Sequence, residues 1–296
     1  MQHIRSSDLH DFQGIGPCCL ALGHFDGMHR GHLALAERLS AAAKAAGLAS
    51  VLLSLDDSQG DLLSTEEEKA FLLRNSSLDF LLSWEAASLP PLHARAEWIQ
   101  RVLLSVFDAK ALVCGEEQRE SLSGCELPLL CCPMCKDESG KILRRESLLC
   151  LLQAGDFPAY RELAGHAYIL QGSIVHGAEL GRKVGQPTAN LSVPERKIQP
   201  PHGVYATLSR IRGELYMGLS NIGRRPSVDD FSYSTIETFL LDFSQDIYGE
   251  QELLELYFRV REVMKFNSLQ EVQQQVQKDI LQVRAHLEKI YISQLS

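Results

Sequence analysis

The chain has no apolar run approaching the roughly 20 residues that a membrane-crossing helix needs. Its first residues, Met1 to Asp8, contain no basic stretch followed by an apolar one. No membrane span and no secretory leader are therefore expected, and the expected location is cytoplasmic. Positive charge is in short supply: 29 Lys and Arg stand against 38 Asp and Glu, a net charge of −9. General nucleic-acid binding needs a basic face and is not expected. The common phosphate loop, G-x-x-x-x-G-K-[ST], is absent. A second cysteine pair to complete a zinc site around Cys131-Cys132-Pro133-Met134-Cys135 is missing too. The eight cysteines therefore read as reduced, structural thiols.

What is present fits about two domains, given 296 residues. Pro17 to Leu22 is an apolar run of the buried-strand type. It leads into Gly23-His24-Phe25-Asp26-Gly27-Met28-His29-Arg30-Gly31-His32, after which Leu33, Ala36, Leu39 and Ala43 recur at helical spacing and Gly47 closes the helix. Strand, glycine turn and helix form the phosphate-receiving corner of an α/β domain. His29 and His32 share a face at the helix start, and Gly31 leaves room for a ligand. Two imidazoles there suit the charge that develops when an α-phosphate is attacked. Further strands are expected at 50–55, 78–82 and 111–114. Helices are expected from Ser64-Thr65, over 94–107, and over 146–154 and 157–164, the last capped by Asp156. Strands alternating with helices imply a parallel sheet, in a domain ending at 165.

From 166 the pattern changes to short strands, at 168–175, 203–211, 214–222, 233–243 and 252–261, which fits a small antiparallel barrel. A capping box at Ser268-Leu269-Gln270-Glu271 opens a terminal helix whose apolar stripe, from Leu269 to Ile290, docks on the rest of the protein. Within this half, Gly177, Gly181 and Gly185 surround Arg182 and Lys183, a loop that brings backbone N–H groups to an anion. Pro187-Thr188-Ala189-Asn190 follows as a rigid turn. Thr188 and Asn190, two apart, aim two oxygens at one point, as a magnesium ion carrying nucleotide phosphates requires. A plain glycine-rich hairpin is the other reading. In Ser234 to Phe243, residues Thr235, Glu237, Phe239, Leu241 and Phe243 are expected on one strand face. A carboxylate among apolar neighbours costs desolvation unless it is paired or used, so Glu237 is either a base or an edge-strand glutamate reaching water.

H-x-G-H in its strand–turn–helix setting resembles the nucleotidylyltransferase superfamily, and G-x-F-D-G-x-H-x-G-H resembles bifunctional bacterial riboflavin kinase/FMN adenylyltransferases. Residues 172 to 191 are similar to the opening of that family's kinase module, with Ile174 for Val. The segments at 203–206, 221–226, 236–243 and 247–249, and Arg261-Glu262 with Lys265-Phe266, resemble its later motifs. The family's F-E-P-H-P appears as Leu55-Asp56-Asp57-Ser58-Gln59. Its G-x-[DN]-F-x-F-G appears as 115–121 without aromatics, and S-S-T-x-I-R falls near Arg144 to Leu149 without its serines and final arginine.

The resemblance implies a Rossmann-like nucleotidylyltransferase domain at 1–165 and a riboflavin kinase β-barrel with a terminal α-helix at 166–296. It implies phosphorylation of riboflavin by ATP–Mg²⁺, with Glu237 as base, Thr188 and Asn190 holding metal and phosphates, and Gly177, Gly181, Arg182 and Gly185 cradling ATP. Arg261 would order the flavin side. Adenylation of FMN to FAD would use His29 and His32, with Gly23, Phe25, Asp26 and Gly31 lining the nucleotide. A kinase with a vestigial N-terminal domain and a non-catalytic flavin-binding protein stay open as alternatives, as does the oligomeric state.

Overall fold

The computed structural model describes residues 1–8, 15–56, 60–85, 107–122, 125–176, 188–225 and 233–295. They form two compact units, Met1–Arg145 and Glu146–Ser296. The helix expected over 94–107 and Ser58 lie outside the described residues, apart from Phe107.

The first unit is built on six strands: β1 (Gln2–Arg5), β2 (Cys18–Gly23), β3 (Ala49–Leu55), β4 (Phe80–Trp84), β5 (Ala109–Gly115) and β6 (Leu129–Cys132). They pair in the order β1-β4-β3-β2-β5-β6, and every pairing is parallel. Both sheet faces are covered, which is why the strand sequences are apolar throughout. Cys18, Leu20, Leu22, Val51 and Leu53 feed one core. Cys19, Ala21 and Leu52 alternate to the other face and pack on Leu35, Ala36, Leu39 and Ala43 of α1 (Arg30–Ala46). The chain winds from β2 outward through β3 and β4, then returns to the other side of β2 with β5. The carboxyl end of β2 is therefore the switch point where open parallel sheets take their ligands. α2 (Glu66–Leu73) starts at Thr65, whose capping box with Glu68 is complete.

In the second unit, α3 (Arg145–Ala154) and α4 (Phe157–Ala164) precede the barrel. Phe157 packs edge-on against Tyr205, and Tyr160 against Tyr168. The two helices thus stand with the barrel rather than the parallel sheet, and the compact units divide earlier than the boundary expected at 165. The barrel strands are β7 (Tyr168–Val175), β8 (Ala189–Ser192), β9 (Gly203–Ile211), β10 (Glu214–Arg225), β11 (Tyr233–Leu240) and β12 (Gln251–Arg261). They close in the order β10-β11-β8-β7-β12-β9, all antiparallel. The stretch read as a rigid turn at 187–190 is in its second half a strand. Gly172 is what lets β8 lie so close: a Cβ there would fall 1.8 Å from the Ser192 carbonyl oxygen.

β11 also ends earlier than the expected 233–243. Asp242 takes a left-handed φ of 57°, which breaks the alternation. Leu241 stays with Phe239 in the core under the terminal helix, while Phe243 turns to the barrel end with Ile174, Leu240 and Ile247. Thr235, Glu237, Phe239 and Leu241 thus keep the shared face, and Phe243 leaves it. The terminal helix α5 (Leu269–Leu295) buries Val283 and Leu287 on the outer barrel wall. Its far end is tied by Gln294, which bonds the Tyr257 hydroxyl at 2.7 Å and also Arg210.

The barrel interior is polar at mid-height, where the hydroxyls of Thr207, Ser220 and Thr238 chain at 2.8 Å. Beside them Glu252 is fully buried and accepts one bond, from Ser209 at 2.7 Å. Burial pushes its carboxyl up from 4.5 to about 7, against the Ser209 bond that lowers it. The unfolded chain therefore releases this proton first as pH rises, and stability is lost between about pH 4.5 and 7. Glu252→Gln removes that titration. Over this range the variant is expected to gain about 3 kcal/mol relative to the parent, read by hydrogen exchange of barrel amides; a constant difference between the two proteins contradicts this assignment.

Candidate functional site

Strand register builds the first site. On β11, Glu237 stands directly opposite Asn190 of β8 and Asn221 of β10. Opposed residues of an antiparallel pair carry Cβ atoms about 4.5–5.5 Å apart on one face, so a carboxylate lies between two carboxamides on the outer barrel wall. Glu237 and Asn190 are half-buried and Asn221 is exposed. The Asn190 side-chain N–H donates to the Thr188 carbonyl at 3.5 Å, which leaves its oxygen to accept from elsewhere or to meet a metal. Hydroxyl, carboxamide and carboxylate oxygens are the hard donors that magnesium takes.

Thr188 also lines a cavity of about 390 Å³ at the barrel end, with Ile174, Ala189, Leu240, Phe243 and Tyr248 as apolar walls and Ser244, Gln245 and Asp246 as polar ones. Its mixed lining and size are those of a small-molecule site. His176 stacks on Tyr248 at 3.8 Å between ring centroids, beside it. A ligand in this cavity therefore has the Asn190–Glu237 row two residues from its edge. Gly177, Gly181, Arg182 and Gly185 lie outside the described residues. Arg261 donates from Nε to the buried Asp279 of α5 at 2.8 Å and from Nη1 to the Glu262 carbonyl at 3.0 Å. Its guanidinium thus fastens the terminal helix.

The second site is the turn after β2. His29 caps α1, its Nδ1 accepting from the His32 amide at 3.3 Å, and the two rings stack with centroids 3.7 Å apart. Phe25, with a left-handed φ of 49°, is buried, and its ring meets His32 edge-on at 5.3 Å. A Cβ at Gly23 would come 3.2 Å from that ring, and one at Gly31 would come 3.1 Å from the His29 ring. The room at Gly31, expected for a ligand, is thus taken up by the capping histidine. Asp26 is buried and accepts from the amides of Leu63 and Ser64 at 3.1 and 2.8 Å and from Arg145 Nε at 2.6 Å. Its carboxylate shapes the turn and brings Arg145 to it. Burial holds the His32 imidazole well below its usual value, with His29 and Lys69 adding to the effect. It is neutral at physiological pH, a donor or acceptor rather than a cation. Its Nδ1 is buried with no hydrogen-bond partner among the described residues.

Cys114 and Cys131 pair across β5 and β6 with sulfurs 3.6 Å apart, and burial pushes the Cys114 thiol up to about 12. Among the described residues, no three His, Cys, Asp or Glu side chains are grouped to hold a metal ion.

Two family profiles divide the chain. One described as FAD synthetase matches residues 13–124, and one described as riboflavin kinase matches residues 164–287. The chain thus carries a FAD synthetase domain followed by a riboflavin kinase domain, as bifunctional riboflavin kinase/FMN adenylyltransferases do. The Bacillus subtilis bifunctional riboflavin kinase/FMN adenylyltransferase is 29% identical over 289 residues, 88% of this chain and 89% of that protein. The Escherichia coli K12 protein of the same name is 28% identical over 290 residues, 90% and 92% of the two chains. A protein named RNA-binding riboflavin kinase, also from Bacillus subtilis, is 39% identical over 124 residues, covering 42% of this chain and 53% of its own length. A crystal structure titled as a macrolide-efflux protein from Streptococcus pneumoniae superposes with a TM-score of 0.78 at 24% identity, over 95% of this chain and 98% of that one. That likeness is one of fold.

Within the family's two-domain plan, sequence reasoning overlooked three features. Asn221 sits in a recognised motif, but only the β10–β11 register shows that it flanks Glu237. The cavity wall at 243–248 depends on the turn at Asp242. Lys69 went unremarked beside the first-turn acids of α2, yet it is 2% exposed. Its signal was the i, i+3 spacing to an acid, which an exposed pair shows equally well.

Proposed function

We propose that the C-terminal barrel module phosphorylates riboflavin to FMN and that the N-terminal parallel-sheet module adenylates FMN to FAD, with ATP as co-substrate of both. The observation that carries the kinase assignment is the pairing of Glu237 with Asn190, two residues from the cavity-lining Thr188. The nucleoside of ATP takes the cavity and its phosphates point along Thr188 toward Asn190. Riboflavin lies on the outer wall with its ribityl 5′-hydroxyl at Glu237. The carboxylate takes the hydroxyl proton as the oxygen attacks the γ-phosphorus, and ADP leaves. Thr188 and Asn190 are the residues that would hold Mg²⁺, which neutralises phosphate charge when bound. Gly177, Gly181, Arg182 and Gly185, outside the described residues, are the candidates to hold the ATP phosphates, and Arg261 keeps α5 and its preceding loop against the flavin side.

In the N-terminal module the FMN phosphate, already an anionic nucleophile, attacks the α-phosphorus of ATP and pyrophosphate leaves. Such a reaction needs positioning and charge stabilisation more than a base. The helix N-terminus with His29 and His32 supplies both, while Gly23, Phe25, Asp26 and Gly31 fix their geometry. Partners are thus riboflavin, FMN and ATP; at a net charge of −9, nucleic acid is not proposed. A kinase with a vestigial first domain is favoured by one observation, the loss of the motif carrying the family's serines and arginine near 144–149. Arg145, held at Asp26, meets that objection by placing a guanidinium at the turn.

The test is to incubate the protein with riboflavin, ATP and Mg²⁺ and resolve the products. FMN and FAD together are expected, and neither once the metal is chelated. FMN alone selects the kinase-only reading, and no product refutes both activities.

A further inference from the structure

Beneath the histidine turn lies a buried ion pair that the proposed chemistry leaves unused. The Lys69 ammonium on α2 donates to the His24 carbonyl at 2.7 Å, to Ser54 Oγ at 3.0 Å and to Glu66 Oε1 at 2.6 Å. That uses all three of its protons. Glu66 in turn accepts from Ser54 Oγ at 3.0 Å and from Ser83 Oγ at 2.6 Å, and Ser83 meets His3 Nε2 at 2.8 Å. These partners come from the carboxyl ends of β3 and β4, from β1 and from the residue just after β2. A lysine 2% exposed pays a large desolvation cost unless it is bonded this completely, and packing needs no charge at that point. Its one contact with the histidine turn is the His24 carbonyl, the residue before Phe25. From the other side, Asp26 grips the amides of Leu63 and Ser64, which lead into the same helix.

Resting on the adenylyltransferase reading, we propose that Lys69 is a positioning residue for FAD formation. Its ammonium, anchored by Glu66, clamps the 24–26 turn against α2 and so fixes where His29 and His32 stand. The Lys69 charge also adds, after burial and His29, to the downward push on the His32 imidazole. His29 and Phe25, from its own turn, contact the His32 ring, and Lys69 on α2 acts on it through charge. Only Lys69 among them is a permanent cation.

The test uses the full chain and three variants, with FMN formation from riboflavin as an internal control in the other unit. Lys69→Met is expected to lower kcat for FAD formation by about tenfold or more, since sub-ångström misplacement of catalytic groups has effects of that order. KM for FMN should change little and FMN formation should not change. The His32 imidazole, followed by NMR, should titrate at higher pH than in the parent. Glu66→Gln keeps Lys69 and its bond to His24, and should retain FAD formation within about threefold. Should Lys69→Met alone unfold the first unit, Glu66→Gln/Lys69→Met leaves no unpaired charge; it is expected to fold and still lack FAD formation. FAD formation by either Lys69 variant within about twofold of the parent overturns the proposal, as does an equal loss in Glu66→Gln. A parent protein that makes no FAD sinks the adenylyltransferase reading instead.

Discussion

Glu237→Gln should lower FMN formation by about 10²–10⁴-fold, the range a positioned general base contributes, with KM values for riboflavin and ATP close to the parent's. The amide keeps the size and one acceptor oxygen of the carboxylate but cannot take the 5′-hydroxyl proton. Glu237 lies half-buried on the outer wall, away from the Thr207–Ser220–Thr238 chain inside the barrel, so folding should be spared. FAD formation from supplied FMN should be unaffected because its site is in the other unit. Steady-state assays of the two steps check this. Parent-like FMN formation by Glu237→Gln would remove the base from the mechanism.

His32→Ala is expected to have the mirror effect, a fall in FAD formation of about 10²-fold or more with FMN formation unchanged. His32 is the cleaner of the two histidines to replace. Removing His29 would also delete the α1 cap, which costs about 0.5–2 kcal/mol in its own right. Equal loss of both products in His32→Ala would mean that the two activities share a site, contrary to the two-unit account.

Much of this architecture was legible in the sequence because local signals agreed with the global fold. Continuous apolar runs around Cys18–Leu22 and Ala49–Leu55 announced a sheet covered on both faces, and short alternating strands announced the barrel. His29 and His32 could be placed at a helix start from glycines and helical spacing. The misses come from pairing between distant segments and from local backbone turns that the sequence pattern does not show. β8 is four residues long and begins within a proline-led stretch that reads as a turn; only its partners β7 and β11 make it a strand. Phe243 was assigned to the wrong face because one left-handed residue, Asp242, resets the alternation. Gly31 and Asp26 were expected to meet ligand, and the structure shows their first partners to be the protein itself: a capping ring in one case, two amides and Arg145 in the other. Lys69 was overlooked because burial of a charge leaves no mark in sequence.

The claim on which the kinase account stands is that the cavity at Thr188 and the row of Asn190, Glu237 and Asn221 form one site. A crystal structure of the protein with riboflavin, Mg²⁺ and a non-hydrolysable ATP analogue measures this directly. The account predicts the nucleoside among Ile174, Leu240 and Tyr248 and the riboflavin 5′-oxygen within about 3 Å of the Glu237 carboxylate, the reach of a general base. A nucleotide bound away from Thr188, or a flavin whose ribityl end does not reach Glu237, would contradict it.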